Sequence, residues 1–556
     1  MNRRTPRLIL LSLLVLAMIA SSCATSAEPT AAPAAEPAAQ QPADQAVEPT
    51  AAAVPAEESA AQEPVDIDLW ALATVTEAGP PPDDWIAYQR IRDELGINLN
   101  YVIIPPGGDG EAKLNAAAAA NQLPDLVQMA SATGDTRSSL FRLYDLGLLA
   151  PVDDLLPLMP ERVKTHYSDQ LLNDLVTFDG HMYGLAEPPA IPKREGLVIR
   201  KDWLDKLGLE PPTTIDELYD VAVAFTTQDP DGNGQDDTYG IGGFIEGEGI
   251  GRRFNYILGA FGVPDVWNFM DPETFGLNIR NPKYEDALAF FTKMNEAGVI
   301  DPDWPTLKKD EFRARWKQGL FGIMWEDFAA LTNKSNYTPF DENFPDAEWI
   351  PLAAPVGPDG DAWYDAYKGR GQIFAMSQNA ADEGKGDAIA RLLEWMATDG
   401  YYLLGFGEEG VNFVLEDDGS ISTEGLDPAE AYTSAERQPY TQLRNQLVFY
   451  NAPAEINARY PSYERVNGTM MEPMTFLEFF QGQPWVDARG VQVILPPDNA
   501  ADFTRFYAEG MIQFVLGQKE LNDETWAEYL AGLDSLGAAE YEAAAKQALT
   551  DAGLLQ

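Results

Sequence analysis

Three short stretches near the start of the folded chain decide its class: Asp66-Ile67-Asp68-Leu69-Trp70, Ile97-Asn98-Leu99-Asn100-Tyr101-Val102-Ile103-Ile104 and Asp125-Leu126-Val127-Gln128-Met129. The first alternates polar and apolar residues, as a strand with one covered face does. The second and third also read as strands. Between the first two lie a Gly- and Pro-rich loop, Gly79–Pro82, and a helical stretch, Trp85–Leu95. Between the second and third lies the Ala-rich Glu111–Gln122, closed by Pro124. Strand, helix, strand, helix, strand predicts a parallel sheet in an α/β domain.

Helix signals continue downstream. Thr214-x-x-Glu217 has the spacing of a capping box ahead of Leu218–Phe225. Asn281-Pro282 supplies an N-cap and a first-turn proline for a helix through Leu288, Phe291 and Met294 that stops near Gly298. Ile389, Leu392, Leu393 and Met396 form the apolar stripe of a packed helix. Ile373-Phe374-Ala375-Met376 reads as a strand feeding it, and Gly319–Met324 as another strand. No internal repeat occurs.

Upstream of Val65 nothing reads as a core. Arg3, Arg4 and Arg7 precede the apolar run Leu8–Ala20, which falls short of the ~20 residues that span a bilayer. Ala20-Ser21-Ser22 then leads into Cys23, the single cysteine of the chain. The segment resembles a bacterial lipobox, which implies a signal peptide over residues 1–22 and acylation of the Cys23 sulfur, palmitate being one such acyl group. Residues 23–64 are expected to be a tether: Ala24–Pro64 holds 16 Ala and 7 Pro, and proline at that density precludes a continuous helix. The expected placement is outside the cell membrane, held by lipid alone.

Composition removes several classes. The 556 residues carry 88 Asp+Glu against 38 Lys+Arg, a formal net charge of −50. Nucleic-acid binding needs a basic face, which this balance opposes. One Cys rules out an internal disulfide and any Cys-rich metal site, and two His leave little for a His-based one. Neither His166 nor His181 has a triad context.

Leu123-Pro124-Asp125-Leu126-Val127 resembles the LPDL element of bacterial extracellular solute-binding proteins, the receptors of ABC importers. Asp179–Leu185 (DGHMYGL) resembles their DGKxYGxP strand. Leu197–Leu207, Pro211–Thr214, Asp229–Gly240, Gly298–Asp303, Gly407–Gly410 and Trp526–Leu536 resemble the large carbohydrate-type lipoprotein branch of family 1, in the same order. The resemblance implies an α/β, two-lobed clamshell of the periplasmic-binding-protein kind. Ligand binds in the cleft and favours closure by touching both lobes. The expected division is Val65–Glu187 plus Gly369–Val414 for lobe one, and Pro188–Lys368 plus Leu415–Gln556 for lobe two. The implied partners are an oligosaccharide and a membrane permease pair, the receptor itself being a monomer and no enzyme. No phosphate-binding G-x-x-x-x-G-K-[ST] occurs.

Asp229-Pro230-Asp231-Gly232-Asn233-Gly234-Gln235-Asp236-Asp237 has the oxygen-ligand spacing of a calcium loop. Asp229, Asp231, Asn233 and Asp237 offer side-chain oxygens, and Gln235 its backbone carbonyl. Gly240 stands where an EF-hand places its bidentate Glu, so the pattern is incomplete. A structural Ca2+ is expected, against the alternative of a solvated acidic turn.

Sugar rings stack on aromatic faces, and their hydroxyls pair with carboxylates and guanidinium groups. The expected cleft residues are Trp70, Trp325, Glu326, Asp327, Trp363, Tyr367 and Arg370, with Trp267 a weaker member. Core packing is the commoner fate of any single tryptophan among 12, and Trp203 is expected to be structural. Arg252, Arg253 and Arg370 could meet an anionic sugar, but balancing nearby carboxylates is the plainer reading. An oligopeptide ligand is the alternative within the receptor class. A secreted glycoside hydrolase or lyase is the alternative outside it, but among 88 acids a plausible carboxylate pair is uninformative.

Overall fold

The computed structural model describes residues 63–72, 81, 83–104, 108–129, 136–159, 161–164, 174–187, 191–247, 249–369, 372–417, 419–432, 453–497 and 499–555. The signal segment, Cys23, the tether and Arg370 lie outside the described residues.

The first sheet contains β1 (Val65–Leu72), β2 (Ile97–Ile104), β3 (Leu126–Met129), β6 (Leu185–Glu187) and β12 (Gln372–Met376), in the order β2-β1-β3-β12-β6. As the sequence predicts, β1 pairs in parallel with both β2 and β3, with Val65 opposite Ile97 and Leu69 opposite Leu126. Ile67, Leu69 and Ala71 are fully buried. On the opposite face Asp66 and Asp68 accept hydrogen bonds from Asn98 and Asn100, each 2.8 Å long. This period-two segregation defines the register, because a one-residue slip would bury the carboxylates. β12 enters from the other lobe and runs antiparallel to β3 and β6.

Helices cover this sheet. Ile86–Leu95 ends on Gly96 in the left-handed conformation. The Ala-rich helix spans Gly108–Ala119, three residues earlier than its sequence predicts at each end. A run of alanines carries no end signals, and termination occurs where Asn121 adopts a φ of +52°. Helix Gly386–Ala397 buries the expected stripe of Ile389, Leu392, Leu393 and Met396.

The second sheet, in the order β10-β7-β9-β8, contains β7 (Glu195–Arg200), β8 (Tyr239–Gly242), β9 (Phe321–Asp327) and β10 (Trp349–Pro351). Its apolar core is separate from the first and draws on residues from Ile191 to Tyr364 and from Met471 to Leu549. The first core draws on Ile67–Ala186 and Ile373–Leu404. The molecule is thus a two-lobed α/β fold. The capping box of helix Ile215–Thr227 forms in full, with Glu217 N–H donating to Thr214 Oγ1 at 3.2 Å and Thr214 N–H to Glu217 Oε2 at 3.1 Å. Asn281 caps helix Pro282–Glu296.

The C-terminal helices Ala500–Val515, Asp523–Ser535 and Ala538–Asp551 belong to the second core. Arg280 reaches Asp534 and Glu542 among them. Gly196 in β7 faces Phe480 of helix Pro473–Gln481 so closely that a Cβ would stand 2.2 Å from the ring.

The remaining strand pairs are small: β4 (Thr177–Phe178) with β5 (His181–Met182), β11 (Ala366–Tyr367) with β17 (Val486–Asp487), β13 (Val414–Leu415) with β14 (Ile421–Ser422), and β15 (Tyr463–Glu464) with β16 (Met470–Met471). Phe406, Phe413, Ile421 and Tyr432 form a satellite core that Leu415 and Ala458 join. The boundary expected at 414/415 runs through this satellite.

Candidate ligand-binding wall

Two connections between the sheets meet near one end of the second sheet. The chain leaves β6 at Glu187 and enters β7 at Glu195. It leaves β11 at Tyr367 and enters β12 at Gln372. β7 is antiparallel to β9, so Glu195 lies beside Asp327 at the carboxyl end of β9. β8 is parallel to β9 and ends at the same edge. Carboxyl ends of parallel strands are where open α/β sheets place ligands.

Four guanidinium groups and four carboxylates converge there. Asp327 caps helix Phe328–Thr332 through Ala329 N–H and Ala330 N–H and receives Arg194 through two nitrogens. Burial pushes the Asp327 carboxyl up, but Arg194 outweighs it and holds the group below its usual range. Glu326 is 0% exposed and accepts from Arg253 Nη1 at 3.2 Å and from Arg313 Nε and Nη2 at 3.2 Å each. Arg253 also donates to Trp325 O and to Glu246 Oε2, at 2.6 and 2.8 Å. Arg252 spans Glu195 Oε1 at 2.8 Å and Glu246 Oε2 at 3.3 Å. Burial would raise Glu246, yet Arg253 and Arg252 bring it down to about 2. Buried charges of this kind persist only when paired and hydrogen-bonded.

A second polar cluster adjoins the β11 connection. Asp365 is buried and accepts from Asn255 Nδ2 and its neighbour Ala366 N–H, both at 2.7 Å. Burial, then the nearby Asp265 carboxylate, push Asp365 up to about 7. Lys368 holds Asp265 at 2.8 Å.

Aromatic rings flank these groups. Trp325 lies between Tyr256, Tyr364 and Trp485, with centroid distances of 6.4, 4.7 and 5.8 Å. Its indole N–H donates to Glu195 Oε2 at 3.3 Å. Lys193 stands 5.7 Å above the half-buried Tyr367 ring, and Arg489 pairs with Asp487 beside it at 2.9 Å. Trp363 is half-buried against Ala366 and Val486.

Three expected ligand contacts need correction. Trp325 and Glu326 are the interior of β9, not residues that follow a strand ending at Met324. β9 is a central strand covered on both faces, so the Trp325 ring is 1% exposed and Glu326 serves Arg253 and Arg313. Trp267, 2% exposed, stacks on Phe275 in the core at 5.4 Å. Asp327, Trp363 and Tyr367 lie around the two connections, while Trp70 is half-buried on β1 in the other lobe under Lys113 at 4.6 Å. Sequence reasoning missed Arg194, Glu195, Glu246 and Trp485. Glu195 and Trp325 are 130 residues apart, and no local pattern signals their contact.

The 229–237 loop is tightly wound, with residues 232–237 exposed and Asp229 and Asp231 half-buried. Asp229, Gly232 and Gly234 have φ of +48°, +78° and +77°. Asp229 accepts from Gly232 N–H and Gly234 N–H at 2.9 and 3.1 Å. The Asn233 amide donates to Asp231 Oδ2 at 2.8 Å and to Asp237 Oδ1 at 3.1 Å. Asp231 and Asp237 therefore gather on the Asn233 amide while Asp229 holds backbone N–H groups, an oxygen-rich loop that suits a hard cation in kind. Among the described residues no three His, Cys, Asp or Glu side chains are grouped to hold a metal ion, so side-chain rotation would have to complete a shell. Gly240 adds nothing, since a Cβ there would lie 2.3 Å from Ala222 O.

A shallow hollow beside helix Lys309–Lys317 is lined by Asp303, Leu307, Glu311 and Arg315. Its guanidinium is already taken by Asp301 and Asp303.

Residues 87–402 match the sequence profile of the bacterial extracellular solute-binding proteins. The chain belongs to that family, whose members are binding proteins. It is 29% identical over 351 residues to the polygalacturonan/rhamnogalacturonan-binding protein YtcQ of Bacillus subtilis, covering 62% of this chain and 66% of YtcQ. It is 27% identical over 292 residues to the fructooligosaccharide ABC transporter substrate-binding protein FusA of Streptococcus pneumoniae, covering 50% of this chain and 51% of FusA. The matched region thus spans about half to two thirds of these relatives. FusA bound to kestose shares the fold at a TM-score of 0.63 and 20% identity, over 87% of this chain and 98% of FusA. A human-milk-oligosaccharide-binding solute-binding protein of Bifidobacterium longum infantis does so at 0.65 and 19%, over 88% and 99%. Another FusA structure is described as an EF-hand mutant. No helix among the described residues is long and apolar enough to cross a membrane.

Proposed function

We propose that this solute-binding protein is the substrate-binding lipoprotein of an ABC importer and captures an oligosaccharide between its two lobes. The observation that carries the reading is the wall at the carboxyl ends of β8 and β9. There Arg252 holds Glu195 and Glu246, and Arg194 holds Asp327, with the Tyr367 ring under Lys193 and Trp485 against Trp325. Preorganised donors and acceptors of this kind suit hydroxyl groups, because little side-chain entropy is lost when the ligand arrives. The names of YtcQ and FusA support a saccharide as the ligand class.

Binding and closure constitute the mechanism, with no covalent step. Ligand touching both lobes favours the closed form by its differential affinity for that form. The closed form is then presented to a membrane permease. Lipidation at Cys23 and the tether over 23–64 would keep a monomeric receptor at the outer face of the membrane. The lobes are assigned as residues 65–187 with 369–414 and 188–368 with 415–556. We extend the proposal to a structural Ca2+ in the 229–237 loop. Asp229, Asp231, Asn233, Asp237 and the Gln235 carbonyl are its donors, with water completing the shell.

A thermal-shift screen against mono- and oligosaccharides and peptides tests the reading. A ligand at 100 times its dissociation constant adds about 2.7 kcal/mol of stability. A sugar hit with the sugar recovered intact is expected. A peptide-only hit would transfer the protein to the oligopeptide receptors, and a cleaved sugar would make it a hydrolase.

A further inference from the structure

The groups at the binding wall form an alternating chain: Glu195, Arg252, Glu246, Arg253, Glu326, Arg313. Its middle is sealed, with Arg253 and Glu326 side chains at 1% and 0% exposure, and Arg313 beyond them is 26% exposed. The outer end opens at Arg252, whose side chain is 45% exposed. Arg252 is the most exposed guanidinium of the cluster, and two of its nitrogens are committed to carboxylates on either side. Asp365 lies within electrostatic reach as a third acid. Arg194, alongside, is matched by Asp327. The four guanidinium groups are thus each paired with at least one of four carboxylates, with Asp365 beyond them, and no guanidinium carries surplus positive charge.

We propose that Glu195 and Glu246 set the charge class of the ligand. By holding Arg252 between them they make this wall neutral, so that it takes an uncharged oligosaccharide and rejects uronates. The inference rests on the saccharide reading above and narrows it. A uronate carboxylate brought to Arg252 would also meet Glu195 and Glu246, and this repulsion is an element that discriminates against the wrong partner. A neutral sugar meets no such penalty. Its hydroxyls can donate to the free lone pairs of the two carboxylates and accept from the Arg252 nitrogen that neither glutamate takes. Glu246 and Glu195 thus position Arg252 and also offer their own oxygens to the ligand.

Calorimetry on the full chain tests this with kestose, nystose and lacto-N-tetraose as neutral probes and tri- and tetragalacturonate as anionic ones. The wild type is expected to bind a neutral probe at least tenfold more tightly than either galacturonate. Glu246→Gln and Glu195→Gln are each expected to narrow that ratio at least fivefold at low salt. The narrowing should shrink at high salt, as screening of exposed charge requires. A merely structural role would weaken both ligand classes equally. A wild-type preference for galacturonate would overturn the inference while leaving the saccharide reading intact. Ratios unchanged in both folded variants would also overturn it. Should a variant fail to fold, the wild-type preference decides alone. Binding of none of the sugars by a folded protein would overturn the saccharide reading itself and this inference with it.

Discussion

Glu246 and Asp365 belong to the same lobe, and both interact electrostatically with Arg252, yet their carboxyl groups are driven in opposite directions. Burial acts on both in the same sense, against the charged form. At Glu246 two guanidinium groups win, and the group falls to about 2. At Asp365 the next charge is Asp265, which adds to burial, and the group rises to about 7. The difference teaches that partner, more than depth, decides whether a buried acid in this wall is a fixed charge or a titrating one.

The sharpest way to break this comparison is to remove the most enclosed partner. Glu326→Ala leaves Arg253 and Arg313 facing an emptied site. A loss of about 3–5 kcal/mol in unfolding free energy is expected, as for a buried ion pair stripped of one member. Denaturant titration measures it, and a loss below about 1 kcal/mol would mean that water replaces the carboxylate.

Asp365→Asn tests the other side. A carboxyl raised from 3.8 to about 7 on folding keeps its proton in the folded state at pH values where the unfolded chain releases it. Its contribution is therefore fully present below pH 3.8 and is lost as pH rises through about 7. The variant should gain on the wild type across that window, by up to about 4 kcal/mol at pH 8. Unfolding curves of both proteins from pH 4 to 8 read the difference directly, and parallel pH profiles would contradict the assignment.

Glu246→Gln should show the reverse sign at a smaller size. A group lowered from 4.5 to about 2 contributes stability above pH 4.5 that is lost as pH falls through about 2. With the side chain 27% exposed, a loss of about 1–2 kcal/mol at pH 7 is expected after allowing for screening. The deficit should shrink below pH 4.5 and disappear only below about pH 2, which pH-resolved unfolding of the pair measures.

The smallest expected effect lies outside the wall, in the 229–237 loop, whose carboxylates form no ion pair with a guanidinium group among the described residues. Millimolar Ca2+ should raise the unfolding temperature by a few degrees, and Asp231→Ala should remove that shift. An unchanged unfolding temperature would return the 229–237 loop to an ordinary acidic turn.

Much of the scaffold was legible from sequence because its signals are local. The alternation of Asp66–Trp70, the capping box at Thr214, the Asn281-Pro282 start and the Ile389 stripe each act within one element. The end of β9 was not legible. Trp325-Glu326-Asp327 reads as an exposed aromatic-acid pair only while its covering is unknown. That covering comes from Arg253, Tyr364 and Trp485, which lie 39–160 residues away along the chain. Glu195 gave no signal because its role depends on Arg252, 57 residues on. A wall built from long-range ion pairs leaves no spacing to read, whereas the calcium-like loop, built within nine residues, does.

The wall at the ends of β8 and β9 is proposed to bind an intact oligosaccharide. Calorimetric titration of the full chain with kestose, nystose and lacto-N-tetraose, repeated on a folded Glu195→Ala variant, tests it most directly. One-to-one binding of at least one sugar, recovery of that sugar unchanged, and at least a tenfold loss of affinity in the variant are expected. Equal affinity in wild type and variant would place the ligand elsewhere than this wall.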